Sequence, residues 1–166
     1  MGPRPPRRVP LSGTPATTAL TRLGLAFALH PYEPDPAAAS YGLEAAAALS
    51  VPPAQVFKTL LVDGEGGLAV AVVPVDRQLD LKAMAAALGR KKVVMAAPAD
   101  AERATGYVVG GISPIGQRKV LPTVVDDSAT GFDRVYVSGG RRGLDISLAP
   151  QDLVAATRAR LAPIGR

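Results

Sequence analysis

The chain has no cysteine, one histidine and no long hydrophobic run. Without cysteine there can be no disulfide, no thiolate metal site and no cysteine nucleophile of the protein's own. A single histidine, His30, excludes a zinc site built from several imidazoles. No apolar stretch approaches the roughly 18 residues of a membrane-crossing helix, so no membrane partner is expected. Arg4, Arg7 and Arg8 are not followed by an apolar segment of signal-peptide length, which makes a cytoplasmic location the expectation. No metal and no other cofactor is expected.

What is present suits one domain. A length of 166 residues with 48% hydrophobic and 20% charged residues is enough for an independent core. The net charge is +5, of which the three arginines of the acid-free tail supply +3. The remaining cations cluster as Arg90-Lys91-Lys92, Arg118-Lys119 and Arg141-Arg142. Such pairs are either solvated loop ends or, if they converge on one face, a phosphate-contacting footprint.

Residues 1–13 are proline-rich and basic and are expected to be disordered, leaving 14–166 as the domain. Thr14-Pro15 opens a helix that Gly24 stops, and Ala26–His30 reads as a strand. An alanine-rich helix over about Leu43–Leu49 ends before Pro52-Pro53. The runs 56–62 and 68–75 flank the glycine-rich turn 63–67 and read as a hairpin. Asp80 caps a helix closed by Gly89; Lys91–Met95 is a strand, and a short helix covers 98–104. Thr123–Asp126, Arg134–Ser138 and Leu144–Leu148 are further strands. Pro150 opens a helix expected to run through Leu161, with Arg158 and Arg160 in its last turns. The pattern predicts an α/β (α+β) fold: a mixed, mostly antiparallel sheet or partly closed barrel flanked by helices.

Chemistry could sit in a few places. Lys58 lies in an apolar strand and shares a face with Val56, Leu60 and Val62. It is either a protective edge-strand charge or a lysine lining a cavity. Gly110-Gly111-Ile112-Ser113-Pro114 exposes backbone N–H groups that suit a carbonyl or oxyanion, or it is a tight turn. Ser113 as nucleophile would need a base, and His30 is distant in sequence. Asp145 is either the counter-ion of Lys58 or a surface acid. Tyr32 and Tyr107 lie in turn-rich segments where a hydroxyl can line a pocket or simply edge the core.

Three stretches, 55–62, 105–117 and 136–146, together resemble the YbaK/EbsC family, relatives of the editing domain of bacterial prolyl-tRNA synthetases. The likeness runs from about Thr14 to Leu161, and the middle stretch is closer to the branch acting on cysteinyl-tRNA than to those removing alanine. It implies that Lys58 is the lysine at the active-site mouth, orienting the 3′-terminal adenosine and the aminoacyl ester. It implies that the Gly110 backbone contacts the aminoacyl group and that Tyr32 and Asp145 are pocket residues, Asp145 near the lysine. Thr59, Gly111, Ser113 and Ser138 carry over as substrate-binding positions. The activity implied is hydrolysis of Cys-tRNA(Pro), and possible action on Cys-tRNA(Cys), with the substrate's thiol attacking its own ester. The implied partners are the aminoacyl-tRNA acceptor end and prolyl-tRNA synthetase. Two other readings compete: a noncatalytic module binding tRNA ends or a synthetase, and a Schiff-base lysine enzyme.

Overall fold

Residues 13–166 are described in the computed structural model, so the expectation for the tail falls, apart from Gly13, outside the described residues. Thr14 turns the chain into helix α1 (Pro15–Leu23): its hydroxyl accepts the Thr17 N–H at 3.2 Å, and Gly24 closes the helix at φ +69°. Strand β1 (Ala28–Pro31) and helix α2 (Tyr41–Ala48), capped by Ser40, follow. Strand β2 (Phe57–Gly64) then turns tightly into β3 (Ala69–Pro74). Asp80 caps α3 (Leu81–Leu88), succeeded by β4 (Val93–Met95) and α4 (Pro98–Thr105). The chain finishes with β5 (Thr123–Asp126), the hairpin of β6 (Val135–Arg141) and β7 (Leu144–Leu148), α5 (Pro150–Thr157) and β8 (Arg160–Ala162).

The strands form a three-stranded sheet, order β1-β7-β6, and a five-stranded sheet, order β4-β2-β3-β5-β8. Pairing is antiparallel except at β3–β5 and β5–β8, which are parallel. The sheets meet at one parallel bridge, Val56 with Tyr136, and do not close into a barrel. Between them lies the main core: Phe57, Leu61, Val70 and Val72 pack with Val135, Val137, Ile146 and Leu148. Alternate residues of β3, namely Ala69, Ala71 and Val73, pack instead with Met84 and Ala85 of α3. Covered on both faces, β3 is apolar throughout.

The C-terminal helix is shorter than expected. It stops at Thr157, Arg158 takes φ +53°, and Arg160–Ala162 pair with β5. Arg158 and Arg160 therefore do not lie in helical turns. Pro163 disfavours helix at the residue before it, and β5 offers an unpaired ladder. The end is then clamped: the buried Asp126 carboxylate accepts the N–H groups of Ile164 (2.9 Å) and Gly165 (2.8 Å) and the Ser128 hydroxyl. At the other boundaries, β2 runs on to Gly64, and Lys91 and Lys92 precede β4.

Burial alone would raise the Asp126 pKa, but its bonds from Ser128, Gly165 and Ile164 outweigh that and hold it below the ordinary 3.8. A depressed carboxylate stabilises the fold above its unfolded pKa and loses that contribution as pH falls through the native value. Asp126→Ala is expected to cost about 2–3 kcal/mol in urea unfolding at pH 7. The gap to wild type should close progressively below about pH 4.

Candidate active site

β2 has two neighbours on the same side. Val56, just before it, bridges to β6, and its last residues Val62–Gly64 pair with β4. Ala96 donates its N–H to the Leu61 carbonyl at 3.0 Å, after which the chain leaves β2 towards α4. By the alternation of an antiparallel strand, the N–H and C=O of Thr59 point to the same side as those of Leu61, where no strand covers them. A cavity of about 330 Å³ opens in that gap. Residues 56–61 form its floor, and its walls come from α2, from Met95–Pro98, from the loop 109–112 and from the β6–β7 hairpin.

Lys58 lines this cavity. It lies in the stretch of β2 that β4 does not reach, and there it borders the cavity and not a bare sheet edge. Burial lowers its pKa, and the charge of Asp76 opposes the shift only in part. Thr59 also lines the cavity, and among the described residues its buried Oγ1 has no hydrogen-bond partner. An unpaired buried hydroxyl costs about 1–3 kcal/mol, so a ligand group bonding to it gains a site already desolvated.

Asp145 enters from β7, where it pairs in register with His30 and Ser138. It is 5% exposed and therefore no surface acid. Neither is it the counter-ion of Lys58, since among the described residues the ion pairs are Arg103–Asp100 and Arg142–Glu44. Burial alone pushes its pKa up to about 7. Tyr32 follows β1; its N–H donates to the Gly143 carbonyl at 2.9 Å, and burial raises its phenol pKa. Ser138 faces the cavity with its hydroxyl accepting the Gly140 N–H at 3.2 Å.

Gly110 lines the cavity at φ +95°, and a Cβ there would meet the Tyr41 ring at 3.1 Å. A side chain at this position would be strained and crowded at once. The structure separates Gly111 and Ser113 from this group. Gly111 packs on the Arg141 backbone, its ideal Cβ only 2.6 Å from Arg141 Cα. Ser113 is fully buried and accepts the Ile115 N–H at 3.2 Å, a turn-forming role. It has no base: His30 Nε2 is bonded to Ser147 Oγ at 2.7 Å. Tyr107 is a core residue, its hydroxyl donating to the Ile115 carbonyl at 2.7 Å.

Sequence reasoning missed Tyr41 and Gly42, which line the cavity at the start of α2, two residues before the expected helix. Ser40 followed by Glu44 was the available signal for that start. Of the basic clusters, only Arg141 lines the cavity. Arg142 pairs with Glu44 (3.0 Å), lies over the Tyr41 ring (4.3 Å) and donates to the Asp35 carbonyl, pinning α2 over the cavity. Arg90 donates to the Gly66 and Gly67 carbonyls of the β2–β3 turn. Among the described residues, no group of three His, Asp or Glu side chains converges to hold a metal.

The sequence model of the "Aminoacyl-tRNA editing domain" family matches residues 35–156. The chain belongs to that family. The editing domain is 42% identical over 120 residues to the Enterococcus faecalis protein named "Putative Cys-tRNA(Pro)/Cys-tRNA(Cys) deacylase EbsC", covering 72% of this chain and 73% of that one. It is 32% identical over 92 residues to a proline–tRNA ligase of Thermosipho africanus, covering 55% of this chain and 16% of the ligase. A solved structure described as "a putative trans-editing enzyme for prolyl tRNA synthetase" superposes with a TM-score of 0.83 at 26% identity, covering 95% of this chain and 98% of that one.

The buried acid carries a measurable cost in the editing domain. With a native pKa near 7 against an ordinary 3.8, Asp145 favours the unfolded state wherever it must ionise. That cost is absent below the unfolded value and complete above the native one. Asp145→Asn is therefore expected to stabilise the fold by on the order of 2–4 kcal/mol at pH 8 and to be near neutral at pH 4, read by denaturant unfolding.

Proposed function

We propose that this editing domain is a trans-acting deacylase that clears cysteine misattached to tRNA(Pro). It would work in the cytoplasm beside prolyl-tRNA synthetase, on the acceptor end of the tRNA. The observation that carries the reading is the cavity's chemistry. It presents an ammonium (Lys58), a carboxyl (Asp145) and an unpaired hydroxyl (Thr59), with no side-chain nucleophile paired to a base. A site that positions and polarises without attacking needs the nucleophile on its substrate.

The cysteine ester supplies one. Its sulfur attacks its own ester carbonyl, the S–C bond forms, the ester C–O bond breaks, and the thiol proton passes to the departing ribose oxygen. The product is a strained cyclic thioester that water opens, and the tRNA leaves with a free terminal hydroxyl. Held in place, an intramolecular attack supplies roughly 7–11 kcal/mol of the barrier. Lys58 offsets negative charge developing on oxygen, and Asp145 in its ionised form attracts the substrate's α-ammonium. Selectivity follows from reactivity, because binding alone separates small side chains by only about 1–3 kcal/mol. The 42% identity to a protein named for this activity supports the substrate assignment.

The test is deacylation of Cys-tRNA(Pro) beside S-methylcysteinyl-tRNA(Pro) and Ala-tRNA(Pro). Rapid loss of the first ester alone is expected. Equal rates on the S-methyl ester would overturn the thiol mechanism, and no release above buffer on any ester would overturn the deacylase reading. Lys58→Ala should lose about 100- to 1,000-fold in kcat with its circular dichroism and melting unchanged.

A further inference from the structure

We infer that Arg141 binds the 5′-phosphate of the substrate's terminal nucleotide, at the rim of the cavity. The inference rests on the aminoacyl-tRNA reading and adds a residue that neither the motif likeness nor the reaction requires. A bulge in the β6–β7 ladder falls between Ser138 and Arg141, with Gly140 at φ +112°. This irregularity sets Arg141 on the cavity wall while leaving it exposed. Its backbone packs on Gly111, at the base of the loop carrying Gly110. Among the described residues, the Arg141 guanidinium has no carboxylate within ion-pair distance and donates no hydrogen bond to protein.

Among the described cations, only Lys58 and Arg141 line the cavity. Arg142 is committed to Glu44, Tyr41 and Asp35, and Arg90 to the β2–β3 turn. Lys91, Lys92, Arg118 and Lys119 do not line the cavity. Lys58 does, but it is half-buried on β2, whereas Arg141 is exposed. A phosphate is costly to desolvate, whereas a neutral ester is not, so the two groups of one nucleotide divide by depth. The ester goes inward to Lys58 and Thr59. The phosphate, on the far side of the same ribose, stays in water against a planar donor fork that remains charged at every relevant pH. Asp145, buried in the same cavity, in its ionised form repels a phosphate and accommodates an ammonium, which sets the direction of entry.

Two nonhydrolysable analogues test this by calorimetry: 3′-(cysteinylamino)-3′-deoxyadenosine with and without a 5′-phosphate. Wild type should bind the phosphorylated analogue about tenfold more tightly. Arg141→Gln should bind both alike, and Arg141→Lys should recover part of the preference. On Cys-tRNA(Pro), Arg141→Gln should raise KM with kcat retained and flatten the log–log salt dependence by about 0.7, one single-strand phosphate contact. A wild-type protein with no phosphate preference, absence of binding included, overturns the inference, as does an Arg141→Gln protein that keeps it. Failure of wild type to deacylate Cys-tRNA(Pro) would instead strike the deacylase reading, while the analogue binding still decides Arg141.

Discussion

The editing domain depends on how the partners of β2 are divided. On one side β3 covers the strand continuously from Phe57 to Val62. On the other, β6 bridges to Val56 and β4 takes Val62–Gly64, leaving the stretch between without a strand. Had either neighbour continued, the backbone of Thr59 would be paired and the gap closed. Because both turn away, the strand that supplies the core residues Phe57 and Leu61 also forms the floor of a cavity. Rigidity and openness thus come from one element, and Lys58 and Thr59 gain positions fixed by strand geometry.

The cavity is held open against the usual preferences of a protein interior. It keeps a carboxyl at 5% exposure, a half-buried lysine and a hydroxyl with no partner. Each is less stable there than in water, and each is a group that a bound ester and ammonium would satisfy. Other contacts compensate. Arg142 ties α2 to the β6–β7 turn, and Asp126 gathers the C-terminal segment against β5. Arg142, Glu44 and Asp126 are thus held by protein partners while Lys58 and Asp145 line the cavity without an ion pair, and only burial and partners tell them apart.

Much of the framework was legible because it is local. Thr14, Asp80 and the glycines that follow their helices mark boundaries through capping bonds made within a turn. The alternation of β2 and the all-apolar run of β3 marked the sheet, and Lys58 stood out as a cation inside a strand. Errors arose where a distant partner decided the outcome. Leu161 continued a helical spacing, but β5 and Asp126 drew that segment into a strand. Ser113 and Gly111 sit in the same glycine-rich motif as Gly110, yet the turn aims only Gly110 and Ile112 at the cavity.

By itself the sequence determined the element types, the absence of any thiol nucleophile in the protein, and the presence of a lysine that an apolar strand does not explain. Composition and short-range spacing suffice for these, since caps, alternation and functional groups are properties of neighbouring residues. Tertiary structure alone decided which charges are free. Arg141 and Arg142 are adjacent and chemically identical, yet one meets Glu44, ninety-eight residues away, while the other faces the cavity mouth. Asp145 and Lys58, apt partners on paper, share a cavity without pairing. Electrostatic roles are set by distance and burial, and neither exists until strands remote in sequence have been brought together.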